Sequence, residues 1–322
     1  MSWSRRHVTL AGAAFLLGLH RLARAADDSP VRMVVGFTPG GSIDAIARVV
    51  AQKITTLGDR PYIIDNRSGA AGNIATQEVM NAPADGKTVL VASLPFIVNP
   101  YLYQKAGYDA AKDFDPVVLI ARSPMVLVVR ADSPWHTVQE FVAAAKAKPG
   151  TLNYSSAGIG SNLHVAAALF CEQAGITAVH IPYRGGGQVA TALMAGEVQF
   201  CFGNALVVDP FVASGKLRAL AVTGLRRNPE LPQVPTLAES ALPGYEFSTW
   251  WGLLVAKGTD SALVAGLNHL VNMALQTPDL RAQLAKQGGD VVGGDPGQLA
   301  SAIRDDSEKL GRLIRERGLK GA

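Results

Sequence analysis

The chain has 322 residues with 33 glycines, 18 prolines and 48% apolar residues, a composition typical of a globular α/β protein of one large or two medium domains. Its 30 basic residues exceed the 26 acidic ones, but four arginines belong to residues 1–25, and the rest of the chain is balanced at 26 of each sign. That balance excludes a nucleic-acid-binding protein, and no later apolar run reaches the roughly 18–20 residues that span a bilayer.

Residues 1–25 have the layout of an export signal. Arg5 and Arg6 precede an apolar run from Leu10 to Leu19, and Ala23-Arg24-Ala25 is an A-x-A cleavage pattern. The paired arginines fit a twin-arginine signal or an ordinary secretory signal, and both alternatives stay open. Either route predicts a signal peptide over 1–25, cleavage near Ala25 and a periplasmic protein.

The first element after the signal is a strand, a glycine turn and a helix. The apolar run 31–37 predicts the strand, and apolar residues at helical spacing from Ile43 to Leu57 predict the helix. Between them Pro39, Gly40 and Gly41 form a turn, with Ser42 as a candidate N-cap. Backbone N–H groups at such a helix start can bind an anion, although a tight turn alone explains the pattern equally well.

The same unit recurs along the chain. Strands at 62–66, 152–156 and 179–183 each lead through a loop into a helix, and Asn73 is a candidate N-cap of the helix that runs to about Asn81. The four loops are 38–42, 67–73, 157–161 and 184–187. Because parallel α/β sheets bind ligands at the carboxyl ends of their strands, two such sheets facing each other would direct four helix N-termini into one cleft.

The remaining elements are predicted from apolar runs and turn residues. The segment with Pro95, Phe96 and Pro100 reads as a loop, and the run 117–129 reads as two strands with a crossing at Ser123-Pro124, because proline cannot donate in a central strand. The tail 263–319 reads as two helices with a break at Gly288-Gly289. Further strands are predicted at 88–93, 198–202, 217–223 and 250–255, and helices at 137–147 and 235–239.

These elements predict two α/β lobes. We expect the first lobe over 26–123 and the second over 124–222, with 223–322 returning to the first lobe and its helices packing across both. The expected lobes have separate sheets, and one continuous sheet would contradict this interpretation.

Catalytic and metal chemistry find no support in the sequence. There is no G-x-S-x-G elbow, no assignable Ser-His-acid set and no complete dinucleotide fingerprint, since Leu163 stands where the third glycine belongs. The six histidines lack metal-ligand spacing. We therefore expect no metal, no cofactor and no enzyme. Cys171 and Cys201 read as two buried thiols, with one disulfide as the alternative.

Seven stretches carry a family resemblance: PGGSIDAIAR, DNRSGAAGN, DGKTVLVAS, PYRGGG, SGKLRALAVTG, VPTLAES and the Trp250-Trp251-Gly252 segment. With them the chain resembles the Bug-type, TctC-like periplasmic receptors of tripartite tricarboxylate transporters. The resemblance implies a two-lobed periplasmic-binding-protein fold (type II, Venus-flytrap) that closes over a small organic carboxylate, held by main-chain N–H groups and ordered waters without an arginine clamp. Thr38 and Ala71, which border the implied pocket, depart from the family pattern.

The resemblance also implies a receptor that serves membrane transporter subunits, as a monomer that binds no nucleic acid. A binding partner of a sensor system is one alternative function, and an exported hydrolase is another. Two of the predicted ligand-binding residues also have a structural alternative. Asp44 would then only complement the dipole of its helix, and His164 would be a packing residue. The predicted ligand-binding residues are Phe37, Pro39, Gly40, Gly41, Ser42, Asp44, Ala71, Gly72, Asn73, Ser93, Ser156, Gly158, Gly160, Ser161, His164, Tyr183, Arg184, Gly185, Gly186 and Asn204.

Overall fold

A computed structural model describes residues 29–103, 106–183, 186–316 and 318. The predicted signal peptide, with Arg5 and Arg6, lies outside the described residues. The strands are β1 Val31–Val35, β2 Tyr62–Asn66, β3 Thr88–Ser93, β4 Phe114–Arg130, β5 Leu152–Ser156, β6 Ala178–Pro182, β7 Phe200–Asn204, β8 Leu217–Val222, β9 Ser248–Ala256 and β10 Asp290–Val291.

Helices alternate with these strands, as the repeated strand-loop-helix pattern predicts. A 3₁₀ turn at Ala70–Gly72 precedes the second helix. The helices are α1 Ser42–Leu57, α2 Asn73–Met80, α3 Pro95–Leu102, α4 Val138–Ala147, α5 Asn162–Gln173, α6 Gly186–Ala195, α7 Ala205–Ala213, α8 Leu237–Ser240, α9 Ser261–Leu275, α10 Pro278–Lys286 and α11 Pro296–Glu316.

The ten strands of the described residues pair into one continuous sheet, and its two halves, called here the first and the second sheet, share β4. In the first sheet β1 pairs in parallel with β2 and β3, and β9 lies antiparallel between β3 and β4. In the second, β5 pairs in parallel with β6 and β7, while β4 pairs antiparallel with β7 and β8. The α/β class is therefore confirmed, but the expectation of separate sheets is wrong, because β4 joins both halves into one continuous sheet. The lobe limits at residues 123 and 222 stay predictions.

The shared strand corrects the sequence prediction of two strands separated at Ser123-Pro124. β4 is one strand of 17 residues. Its first part, through Pro124, pairs with β9, and from Met125 onward it pairs with β7 and β8. Pro124 lies opposite Ser248, the first residue of β9, so its missing N–H falls at the end of a ladder, where proline is tolerated.

A second correction concerns α3, which the sequence placed in a loop. Pro95 occupies its first turn, where the missing N–H costs nothing. Phe96, Ile97 and Val98 are buried, and Asn99 is 1% exposed. Two prolines in eight residues obscured the helix, because the interior Pro100 normally disfavours one.

The tail has three helices, α9, α10 and α11, where two were predicted. Thr277 and Pro278 end the first and begin the second, with proline at the first helical position. Gly288 then ends α10 with φ of +71°, and β10 follows. α11 packs against α3 and β4. Among the described residues, no helix is both long and apolar enough to cross a membrane.

Two helix caps also differ from prediction by one residue. The N-caps of α1 and α2 are Gly41 and Gly72, so that Ser42 and Asn73 are the first helical residues. Cys171 and Cys201 are buried and form no disulfide, which confirms the interpretation as thiols. Burial raises the pKa of the Cys201 thiol to about 12.

Candidate functional site

A cavity of about 370 Å³ lies where the two sheets meet. The N-terminal ends of four helices line it: α1 and α3 from the first sheet, α5 and α7 from the second. The lining residues are Phe37, Thr38, Gly40, Gly41, Ser42, Ile43, Ala45, Ser93, Pro95, Ala157, Ser161, Asn162, Leu163, Asn204, Val207, Trp251 and Gln287. The predicted convergence of four helix starts is present, although two of the four helices differ from those expected.

The turn before α1 presents backbone to the cavity. Gly40 adopts φ of +90°, a conformation that favours glycine. Gly41 is the N-cap, and a Cβ built on it would meet only the carbonyl oxygen of Thr38, at 3.9 Å. Since the first N–H groups of a helix have no intrahelical partner, this open side of Gly41 leaves room for a ligand to approach the backbone.

Asp44 lies beneath this turn and does not line the cavity. The residue is 2% exposed. One carboxylate oxygen accepts hydrogen bonds from Gly40 N at 2.9 Å and Arg48 Nε at 2.9 Å, and the other accepts one from Asn66 Nδ2 at 2.9 Å. Burial favours the neutral acid, but these donors outweigh it and lower the pKa of Asp44. The charged carboxylate therefore fixes the turn.

The turn before α5 is held by two histidines. Gly160 N donates to His164 Nδ1 at 3.2 Å, and the hydroxyl of Ser156 lies 2.6 Å from His180 Nε2 and accepts from Gly158 N at 3.1 Å. The two imidazole rings stack with centroids 4.1 Å apart. We call His164 and His180 the histidine pair.

The histidine pair is neutral at ordinary pH. Burial, and next the charge of His180, lowers the pKa of His164 to about 3, and burial lowers the pKa of His180 to about 4. Neither ring lines the cavity. Because Gly160 N donates to Nδ1, the neutral His164 carries its proton on Nε2, the tautomer in which Nδ1 can accept.

The loop 67–73 borders a second, smaller cavity of about 20 Å³. Ala71 and Gly72 line that cavity together with Phe37 and Ser93, which also line the main one. Ala71 has φ of +54°. Asn99 Nδ2 on α3 donates to Ala71 O at 2.9 Å and to Asn73 Oδ1 at 2.9 Å, which ties this loop to α3.

The structure brings seven of the predicted ligand-binding residues to the main cavity: Phe37, Gly40, Gly41, Ser42, Ser93, Ser161 and Asn204. Ala71 and Gly72 line the smaller cavity. Arg184 and Gly185 lie outside the described residues, and Gly186 begins α6. Eight residues line neither cavity: Pro39, Asp44, Asn73, Ser156, Gly158, Gly160, His164 and Tyr183. Ligand contact stays a prediction for the whole set.

Besides Asp44, Ser156, Gly158 and His164, whose partners are given above, the other residues with clear structural contacts are Tyr183, Gly160 and Asn73. Tyr183 donates from its hydroxyl to Glu197 Oε2 at 2.6 Å. A Cβ on Gly160 would lie 2.6 Å from Leu102 Cδ1 on α3, which places Gly160 at a contact between the two sheets' helices. Asn73 accepts from Asn99, as described above.

Sequence reasoning missed most of the apolar wall and two amides. Trp251 and Gln287 come from β9 and the end of α10, and no local motif links them to the glycine loops. Asn162 directly follows Ser161, a predicted ligand-binding residue, so its position offered a signal. Thr38, which was predicted to border the pocket, does line the cavity. The other missed lining residues are Ile43, Ala45, Pro95, Ala157, Leu163 and Val207.

The lining of the main cavity is electrically neutral. Among the described residues no Asp, Glu, Lys, Arg or His side chain lines it. The positive field comes from helix N-termini, each equivalent to roughly half an elementary charge. The described residues also hold no group of three or more His, Cys, Asp or Glu side chains placed to bind a metal ion.

Two α/β sheets joined by a crossing strand, with a cavity at their junction, define a two-lobed solute-binding protein. The chain matches the family model described as tripartite tricarboxylate transporter family receptor over residues 46–319. It belongs to this family of TctC- or Bug-type receptors, as predicted. It is 33% identical to the protein BugT of Bordetella pertussis over 293 residues, which cover 90% of each chain.

Solved structures of similar proteins share the whole fold. Rpa4515 of R. palustris, with adipate, has a TM-score of 0.82 and 32% identity, covering 91% of this chain and 98% of its own. The periplasmic binding protein BugD has a TM-score of 0.80 and 29% identity, covering 91% and 99%. MatC of Rhodopseudomonas palustris, with bound malate, has a TM-score of 0.79 and 30% identity, covering 88% and 98%.

These similarities confirm the two-lobed periplasmic-binding-protein fold. The chain belongs to a family of transporter receptors, and these proteins bind a solute and do not transform it. It is therefore not an enzyme, as predicted.

Proposed function

We propose that this protein is a periplasmic receptor that binds a small organic carboxylate in the main cavity and delivers it, as a monomer, to the membrane subunits of a tripartite tricarboxylate-type transporter. One observation carries the proposal. The N-termini of α1, α3, α5 and α7 surround a cavity whose described lining bears no charged side chain.

Such a cavity favours an anion held by backbone. Free N–H groups and the dipole both act at a helix start, and carboxylates bind there without a cationic partner. An ammonium group would meet the same positive field with no carboxylate to offset it. Of the anions that suit such a site, the structural relatives hold adipate and malate, which favours a carboxylate here.

The available interactions suffice for a transport receptor. Micromolar affinity requires about −8 kcal/mol. Hydrogen bonds to a charged group contribute roughly 1.5–3 kcal/mol each, and a partly buried helix N-terminus contributes up to about 2 kcal/mol. Four to six such contacts exceed the requirement before ordering costs are subtracted.

A thermal-shift screen followed by isothermal titration tests the proposal. The panel contains mono-, di- and tricarboxylates, amino acids and aromatic acids, with the uncharged amide of each hit as its control. We expect at least one carboxylate to raise Tm and to bind with micromolar or tighter Kd, and its amide to fail. Binding of amides as tightly as acids, or turnover of the bound acid, would contradict the proposal.

A further inference from the structure

Gln287 differs in origin from the other polar side chains that line the main cavity. Those side chains belong to the ends of strands, the turns that follow them and the starts of helices: Thr38, Ser42, Ser93, Ser161, Asn162 and Asn204. Gln287 instead follows the C-terminal end of α10 and is the longest of the polar lining side chains. It therefore faces the cavity from a segment that is separate from the four helix starts.

The Gln287 amide has no structural partner within the described part of the chain. The residue is half-buried, and no hydrogen bond or ion pair joins its side chain to another described residue. Its amide atoms are also not among the buried polar atoms that lack a partner, so they are open to the cavity. A carboxamide carries both a donor and an acceptor, and either orientation of this amide presents both to a ligand.

The turn that carries this amide is packed tightly on three sides. A Cβ on Gly288 would lie 3.4 Å from Ser123 Oγ on β4 and 3.6 Å from Ala205 Cβ on α7. A Cβ on Gly289 would lie 3.4 Å from Trp251 Cζ3 in the cavity wall. Because the backbone is already fixed by this packing, the side chain can bind a ligand at a low cost in conformational entropy.

Resting on the proposed function, we propose that Gln287 is a specificity-determining residue, whose amide contacts the end of the ligand remote from the bound carboxylate. The carboxylate itself lies at the turn before α1, where the backbone at Gly41 is open. Apart from the neighbouring residues, only Thr38 O lies within 4 Å of a Cβ built on Gly41, so Gln287 lies away from that turn. The charge at position 287 then determines which remote groups are accepted.

Isothermal titration with two series of acids tests this inference. The series are hexanoate, adipate and 6-aminohexanoate, and butanoate, succinate and 4-aminobutanoate. Within each series the first carboxylate is shared, and the remote end is a methyl group, a second carboxylate or an ammonium group. Relative to the parent acid, we expect Gln287→Glu to weaken binding of the diacid by about 10-fold or more and to strengthen binding of the amino acid, because an added carboxylate repels one and attracts the other.

Gln283→Glu is the matched control. Gln283 lies one helical turn earlier on α10, is exposed and does not line the cavity, so this variant adds the same charge without changing the cavity wall. It should keep the selectivity of the wild type. Circular dichroism of each variant shows that it has folded.

A second variant separates binding from folding. Gln287→Ala should keep Tm within about 2 °C of the wild type, because the amide it removes has no structural partner. A larger loss of Tm would show that the side chain serves the fold and would overturn the assignment.

The outcomes separate this inference from the proposed function. If Gln287→Glu changes the affinity of all three acids of a series by the same factor, or changes selectivity no more than Gln283→Glu does, Gln287 does not contact the remote end, and the carboxylate receptor stands. If the wild type binds none of these acids, the inference is overturned. If it also binds no acid of the wider screen, the proposed function is rejected as well.

Discussion

Gly41 is the residue at which the proposed backbone recognition can be tested most directly. A Cβ there would project into open space, with only Thr38 O within 4 Å, and its φ of −80° is accessible to any residue. We expect Gly41→Val to weaken binding of an identified carboxylate by about 100-fold, because hydrogen bonds to a charged group contribute roughly 1.5–3 kcal/mol each. Isothermal titration measures the loss.

The control for Gly41→Val is Gly266→Val on α9. Gly266 is exposed, and a Cβ there also meets nothing within 4 Å, but it lies outside the cavity lining. It should leave Kd unchanged. Wild-type affinity in Gly41→Val would show that the ligand does not approach this turn.

For single residues, the sequence predicted the positions of turns more accurately than the roles of side chains. The glycines at 40 and 41 were recognisable because a helix start requires a turn there. Asp44 and His164 were harder to place, because a carboxylate or an imidazole near a predicted pocket is compatible with ligand contact. In the folded protein both instead accept hydrogen bonds from backbone N–H groups. Partners distant in sequence, such as Asn66, decide such roles.

At the scale of the elements, the histidine pair that holds the turn before α5 should make the stability of the protein depend on pH. The folded-state pKa values of the histidine pair, about 3 and about 4, lie below the ordinary value of about 6.5. Between pH 6.5 and about 4 the unfolded chain therefore binds more protons than the folded protein, and stability falls as pH falls through that window. Calorimetry should show Tm decreasing from pH 7 to pH 4.

Substitution of His164 isolates its share of that response. His164→Gln should lower Tm at pH 7 and make Tm less dependent on pH between 6.5 and 4, because one of the buried groups that must be protonated is gone. His136→Gln, which removes an exposed imidazole, is the matched control and should retain the wild-type slope. Parallel Tm curves for wild type and His164→Gln would contradict the assignment.

Element prediction failed where tertiary context overrode local propensity. α3 contains two prolines in eight residues, yet burial of Phe96, Ile97 and Val98 stabilises it as a helix. β4 contains Pro124, yet the strand continues because its partners change at that residue. A short window of sequence shows neither the burial of α3 nor the change of partners along β4. It does show the apolar periodicity of α1 and the apolar runs of the parallel strands.

For the whole molecule, the shared strand predicts cooperative unfolding. β4 supplies a ladder to both sheets, so loss of either sheet leaves the other with an unpaired edge. We expect a single calorimetric transition in the absence of ligand, with the van't Hoff enthalpy equal to the calorimetric one. Two resolved transitions would show that the sheets melt independently in spite of β4.

For the molecule as a whole, the fold was largely predictable from the sequence, but the full set of residues that line the cavity was not. Periodicity, glycine turns and the family resemblance predicted two α/β units around a cleft. Trp251 and Gln287 reach that cleft from segments far along the chain, and only the three-dimensional path of β9 and α10 brings them there. Long-range placement of this kind has no local signature.

The position of β9 also has a consequence for how the protein is made. β9 lies between β3 and β4 in the first sheet, but it begins at residue 248, after every strand of the second sheet. While the chain is being synthesised, the edges of β3 and β4 that later pair with β9 therefore stay open until β9 emerges. Open strand edges pair readily with other chains, and such delayed long-range pairing is slow. We therefore expect the first half of the nascent protein to be prone to aggregation until most of its second half exists.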